Sequence, residues 1–143
     1  MMSVLDGFRL DGDTAIVTGG NRGIGRGISG ALAEAGANVV IANRDETSGR
    51  ETAEEIADQT SAQTHAVPTD ITDEDDVKSL VDATVEEFGS LDVLVNNAGV
   101  TINTKAEEMP MEEWEHVMDI NLDGLFRCTK HAGREMIDSD GGR

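Results

Sequence analysis

The chain has 143 residues, 38% of them hydrophobic, and carries 29 Asp and Glu against 11 Lys and Arg, a formal net charge of −18. That length suits one domain with a modest core, and the apolar fraction excludes a disordered chain. A surface this acidic repels nucleic acid and anionic lipid, so neither is expected as a partner.

The opening "MMSVLDGFRLDGDT" has neither the basic end nor the apolar stretch of a signal peptide. Thr14–Thr18 ("TAIVT") reads as a buried strand, and residues 23–35 as a helix with Ile24, Ile28, Ala31, Leu32 and Ala35 at helical spacing and Gly36 as its stop. A second strand is expected at 38–42 ("NVVIA"). A polar helix follows at 47–59 with Ala53, Ile56 and Ala57 on one side, then a short third strand near 65–69. Thr72 is expected to cap the next helix, with Asp75 three residues on. Val77, Leu80, Val81, Thr84, Val85 and Phe88 form its apolar face, and Gly89 ends it. A fourth strand is read at 91–96 ("LDVLVN"). The last element starts after Pro110 and runs, bent near Asn121, to about Ile137. Strands and helices alternating at this spacing imply a parallel sheet with helices on both faces, an α/β doubly wound architecture.

No apolar run reaches the length of a membrane span. The single Cys128 excludes an internal disulfide and fits a reducing compartment, so a cytoplasmic location is expected. Three histidines and one cysteine show no metal-ligand spacing, and no metal site is expected. The acidic runs Asp73-Glu74-Asp75-Asp76 and Glu112-Glu113 read as solvated helix faces, and His131 as a surface histidine. The excess of acids over lysines resembles proteins of salt-loving organisms.

The stretch "IVTGGNRGIG" (16–25) places glycines where a strand passes into a helix. There the unpaired N–H groups of the helix start attract an anion. Gly19 permits the tight turn, Gly23 lets a pyrophosphate approach the backbone, and Gly25 lets helix and strand pack closely. The spacing is G-x-x-x-G-x-G, and no Gly-Lys-Ser/Thr follows, which excludes a P-loop. A structural glycine turn without a ligand is the bland alternative.

The end of the second strand bears on which dinucleotide binds. An acid there would meet the ribose 2′-hydroxyl of NAD, whereas a cation accepts the 2′-phosphate of NADP. This chain has Asn43 and Arg44 at that place and no acid before Asp45, while Arg22 stands in the glycine turn. Two guanidiniums against an acidic background suggest a phosphate clamp and NADP in preference to NAD. Solvated arginines, or arginines paired with acids, are the competing explanation.

In these stretches the chain resembles the short-chain dehydrogenases/reductases. The matching residues are Thr18-Gly19-Gly20-Asn21-Arg22-Gly23-Ile24-Gly25, Asp70 after the third strand, Asn96-Asn97-Ala98-Gly99, and Asn121 in "DINLDG". The resemblance covers nearly the whole chain and implies a Rossmann-type sheet, here of four strands in the order 3-2-1-4. It implies that the turn from Gly19 to Gly25, with Asn21 and Ile24, holds the cofactor, and that Asp70 and Ile71 contact the adenine. It further implies that Asn97, Ala98 and Gly99 line the cofactor and that Asn121 holds the water or lysine of a proton relay, the one catalytic residue expected here. The start "LDGFRLDG" and the stretch "ANRDE" look most like the branch acting on sugar acids, such as gluconate 5-dehydrogenases, with 3-oxoacyl carrier-protein reductases close behind.

The family's chemistry needs a Tyr-x-x-x-Lys pair and a serine beyond the next strand, yet this chain has no tyrosine and stops at Gly141-Gly142-Arg143, where relatives begin that strand. It is therefore expected to be a single, incomplete NAD(P)-binding domain over 1–143, an amino-terminal portion inactive alone, with the fourth strand left as an unpaired apolar edge. His116 and His131 are not expected to replace the tyrosine. A completed form would take a small carbonyl or alcohol substrate and form a homo-oligomer, tetramer or dimer, through the last helix. A non-catalytic dinucleotide-binding or interaction module is the alternative.

Overall fold

The computed structural model describes residues 3–139 and Gly142; of the expected start of a next strand at 141–143, Gly141 and Arg143 lie outside the described residues. Four parallel strands form one sheet: β1 (Thr14–Thr18), β2 (Asn38–Asn43), β3 (Thr64–Pro68) and β4 (Val93–Val95), in the order β3-β2-β1-β4. This is the order that the resemblance implied. Helices α1 (Gly23–Glu34), α2 (Glu46–Gln59) and α3 (Glu74–Phe88) connect the strands. The chain then continues through α4 (Met111–Met118), a π-helical segment at Asp119–Gly124, and α5 (Leu125–Asp138).

Successive side chains of a strand point to opposite faces, and the two central strands sort their apolar residues accordingly. Ile16, Val40 and Ala42 pack on one face with Leu80 and Val81 of α3 and with Ala132 and Met136 of α5. Val17, Val39 and Ile41 pack on the other with Ala33 after the middle of α1 and with Ala53 and Ile56 of α2. Burial on both faces is why β1 and β2 read as unbroken apolar runs. A third cluster joins Ile71, Val77, Ile120 and Cys128, and burial there pushes the Cys128 thiol up to about 11, leaving it a packing group.

Several sequence expectations need correction. In α1 the face against the sheet is Gly25, Ser29 and Ala33, whereas Ile24 is 80% exposed. Small residues bring the helix axis close to the sheet, so the larger apolar residues flank the contact. The cap of α3 is Asp73 and not Thr72: its carboxylate accepts the N–H groups of Asp75 and Asp76, at 2.8 and 3.0 Å. The Thr72 hydroxyl is engaged elsewhere, donating to Asp70.

The run from Asp73 to Asp76 is thus not simply a solvated face. Besides the cap, Glu74 binds Lys130 and His131 on α5, and Asp76 accepts the Asp70 N–H. His131 has only 10% of its side chain exposed, so it is an inter-helix contact and not a surface histidine. Strand β4 has three residues where six were expected. It pairs with β1 alone, and no strand among the described residues covers its other edge. A 3₁₀ turn at Val4–Phe8, closed by a Ser3–Asp6 capping box, had no periodic signal to announce it.

The bend near Asn121 is the π-helical segment, which widens the helix by one residue per turn between α4 and α5. Arg127 binds Asp119 at 2.9 Å across it and also reaches the Ile71 carbonyl, fixing this segment against the turn after β3. No helix among the described residues is long and apolar enough to cross a membrane.

Candidate functional site

Parallel strands send all their carboxyl ends to one edge of the sheet, and the loops leaving them there enclose a cleft of about 660 Å³. The turn after β1 contributes Gly19, Asn21, Arg22, Gly23, Ile24 and Gly25. The end of β2 contributes Asn43 and Arg44, the turn after β3 Asp70 and Ile71, and the loop after β4 Asn97, Ala98 and Gly99. All thirteen residues expected to bind a cofactor therefore meet in one place, although residues 19 and 99 are eighty apart in the chain.

The glycine turn is built around two close approaches. Gly19 has φ +65°, a left-handed conformation costly for other residues, and a Cβ on Gly25 would overlap the Gly19 carbonyl and the Asn97 amide. At Gly23 a Cβ would meet no atom within 4 Å, so its face is open to the cleft. The first turn of α1 has no acidic residue, and its N-cap, Arg22, makes no side-chain capping bond. Unlike α2 and α3, capped by Asp45 and Asp73, α1 presents uncapped N–H groups to the cleft. This donor set fits an anionic pyrophosphate.

The loop after β4 is anchored to β1 by Thr18, which sequence reasoning left out of the site. Its hydroxyl donates to the Val95 carbonyl at 3.3 Å and accepts the N–H groups of Asn97 and Ala98, both at 3.0 Å. One donor and two acceptor positions are thereby filled. The Asn97 side chain returns the contact, donating to the carbonyls of Thr18 and Gly19 at 3.0 and 3.2 Å. The signal for Thr18 was its place at the end of a buried strand, where a hydroxyl must find partners.

Across the cleft, Asp70 accepts the Thr72 N–H and hydroxyl on Oδ1, at 2.9 and 2.7 Å. These bonds, assisted by the charges of Arg44 and Arg127, hold its pKa below the usual carboxylate value, so it is ionised. Oδ2 makes no hydrogen bond among the described residues. At the end of β2, the Asn43 amide donates to the Asp45 carbonyl at 2.6 Å and packs against Gly49, shaping the turn that presents Arg44. Asp45, the first acid after β2, accepts the Ser48 N–H at 2.7 Å in the helix cap.

Arg22 and Arg44 are both exposed and make no ion pair or hydrogen bond among the described residues. Arg9, Arg26, Arg127, Lys78, Lys105 and Lys130 each have a carboxylate partner, whereas Arg50 and Arg134 are likewise unpaired among the described residues but do not line the cleft. Further from the glycine turn, Asn121 is bonded both ways to the backbone of Val100: Oδ1 accepts its N–H and Nδ2 donates to its carbonyl, each at 2.8 Å. One hydrogen and one lone pair of the exposed amide remain. Asn121 does not line the cleft itself; Ile120 and Val100, on either side of this clasp, do, as do Ser48 and Thr69, none of which was expected. No group of residues among those described could hold a metal ion.

The sequence model of the family described as short chain dehydrogenase matches residues 13–143. An uncharacterized oxidoreductase of Thermotoga maritima is 45% identical over 133 residues, which are 93% of this chain and 52% of that protein. A 3-oxoacyl-(acyl-carrier-protein) reductase of Staphylococcus aureus is 40% identical over 127 residues, 87% of this chain and 50% of its own length. The crystal structure of a short-chain type dehydrogenase/reductase from Mycobacterium marinum superposes with a TM-score of 0.93 at 37% identity, covering 96% of this chain and 56% of that one. The chain spans about half the length of the curated relatives it matches.

Proposed function

The chain belongs to the short-chain dehydrogenase family of oxidoreductases, and on that premise we propose that it forms the NADP-binding half of an enzyme moving a hydride between nicotinamide and a carbonyl or hydroxyl group. The observation that carries the cofactor choice is the pair of unpartnered guanidiniums, Arg22 and Arg44, at one cleft of a chain with net charge −18. Two unpaired cations lining one cleft suit a dianionic 2′-phosphate. The nearest acid, Asp45, is drawn into the cap of α2, where its Oδ1 accepts the Ser48 N–H.

In this reading NADPH, when bound, supplies the hydride. The glycine turn and the uncapped start of α1 would hold its pyrophosphate, and Asp70, whose Oδ2 is free, would accept from the adenine. Asn97, Ala98 and Gly99, anchored through Thr18, form the wall toward the nicotinamide. Asn121 ties the π-helical segment to that wall, and its remaining amide hydrogen and lone pair can hold a water of a proton relay. Carbonyl reduction also needs a proton donor beside the substrate oxygen, and the chain holds no tyrosine. The 143-residue chain is therefore a binding unit, and its substrate, a sugar acid or a 3-oxoacyl thioester, is met by a longer form. That form associates with copies of itself through the last helix, whose Phe126 and Ile137 are 64% and 77% exposed, with Leu122 of the preceding π-helical segment 53% exposed.

Titrating the purified chain with NADPH and with NADH, followed by nicotinamide fluorescence, tests the reading. NADPH should bind more tightly by about 1.5–3 kcal/mol, roughly ten- to a hundredfold, and Arg44→Ala should remove most of the difference. Equal affinities, or an unchanged preference in the variant, would sink the clamp. In the same preparation, NADPH oxidation at 340 nm with keto-sugar acids or 3-oxoacyl thioesters should stay at background. Steady turnover would show that the chemistry has been misplaced.

A further inference from the structure

Ser48 stands in the first turn of α2 and lines the same cavity as the two arginines of the clamp. Its backbone N–H is satisfied by Asp45, and its Oγ accepts the side-chain amide of Asn21 at 2.5 Å. One turn further along the same face, the buried Thr52 hydroxyl donates to the Asn21 carbonyl at 3.1 Å. Asn21, the residue before Arg22, is thus gripped by α2 through both side chain and main chain, and the glycine turn and α2 are held at a fixed separation. The hydrogen-bond capacity of Ser48 leaves one group over. Its oxygen has a donor in Asn21, but its hydrogen has no acceptor among the described residues. A half-buried hydroxyl with a spare hydrogen, in the same cavity as two unpaired cations, is suited to an anion that brings its own acceptors.

We propose that Ser48 is a further determinant of cofactor choice, its hydroxyl donating to the 2′-phosphate between Arg22 and Arg44 while Asn21 fixes its orientation. The proposal rests on the NADP reading above and goes beyond it in assigning a third, neutral donor that the glycine turn and the β2 end do not supply. No bond is made or broken in this step; the site discriminates by hydrogen bonding alone.

Two probes separate the phosphate from the rest of the cofactor: adenosine 2′,5′-bisphosphate and 5′-AMP, titrated calorimetrically into the purified chain. Ser48→Ala should weaken the bisphosphate at least about tenfold, as for loss of a bond to a charged group, and leave AMP within about twofold. Ser48→Thr, which keeps the hydroxyl, should recover most of the affinity. Ser48→Cys, close in shape but a poor donor, should repeat the loss and serves if the alanine variant melts early. If Ser48→Ala weakens both probes alike, or neither, while Arg44→Ala still discriminates, the Ser48 assignment falls and the NADP reading stands. If the wild-type chain binds the two probes equally, or binds neither, both fall together.

Discussion

The start of α3 carries four consecutive carboxylates, from the Asp73 cap through Asp76, whereas the start of α1 carries none and is preceded by Arg22. Both helices face the same requirement, since the first N–H groups lack intrahelical acceptors and the helix dipole favours negative charge there. At α3 the chain answers it with its own side chains, and the spare carboxylates reach out to Lys130, His131 and the Asp70 N–H. At α1 the residue in the cap position already has the extended backbone of an N-cap, φ −153° and ψ 164°, but an arginine side chain that cannot accept. The same local geometry thus serves stability in one place and leaves room for an external anion in the other.

The largest effect should come from closing the open start. Gly25→Ala puts a methyl group into the Gly19 carbonyl and the Asn97 amide, so the turn must move. Nucleotide binding should fall by at least about a hundredfold, near 2.7 kcal/mol, with a lower melting temperature by circular dichroism. Gly27→Ala, two residues on with no atom within 4 Å of its Cβ, is the control. It should bind normally and be stabilised by about 0.5–1 kcal/mol. If both variants behave alike, close packing at Gly25 is not what shapes the site.

A middle-sized effect should follow from making α1 resemble α3. Arg22→Asp supplies a capping carboxylate to a backbone already in the right conformation. It should raise the apo chain's stability by about 1 kcal/mol in a denaturant titration. The same change should weaken NADPH at least about tenfold, because a carboxylate replaces a cation beside the phosphates. Gain in stability and loss of binding in one variant is the outcome expected. If binding survives, the anion does not sit at this helix start.

The smallest effect lies at α3 and depends on pH. Hydrogen bonds from Lys130 and His131 hold Glu74 down to about 2 from an ordinary 4.5. A carboxylate with a depressed folded pKa contributes stability above its unfolded value, and that contribution is lost as pH falls toward 2. Melting curves of the chain and of Glu74→Gln should therefore differ by a constant amount above about pH 5 and converge toward pH 2. The gap is expected to be small, since the group is exposed and solvent screens it. A gap that widens as pH falls would exclude the helix-to-helix clasp.

What the sequence determined by itself was whatever local chemistry controls. Thr14–Thr18 was read at its observed bounds because a strand buried on both faces, followed by glycine, has few other readings. The stop of α3 at Gly89 was legible for the same kind of reason, since only glycine sits easily at its φ of +83°. The residues of the cleft were legible as well, because each lies at a strand end and parallel connection brings strand ends together. Only the tertiary structure decided which polar groups were already spent. Thr72 could cap a helix in sequence but donates to Asp70; Asp45 commits one oxygen to the cap of α2; Asn121 commits half of its amide to the Val100 backbone and keeps the rest for a relay water. Ser48 carried no motif, and Thr18 opened the glycine motif without an assigned role; what each does became visible only when its partner, 27 and nearly 80 residues away, came into contact. A hydrogen bond is a property of two groups in space, so the sequence names the donors and acceptors while the fold decides which are left free to bind something else.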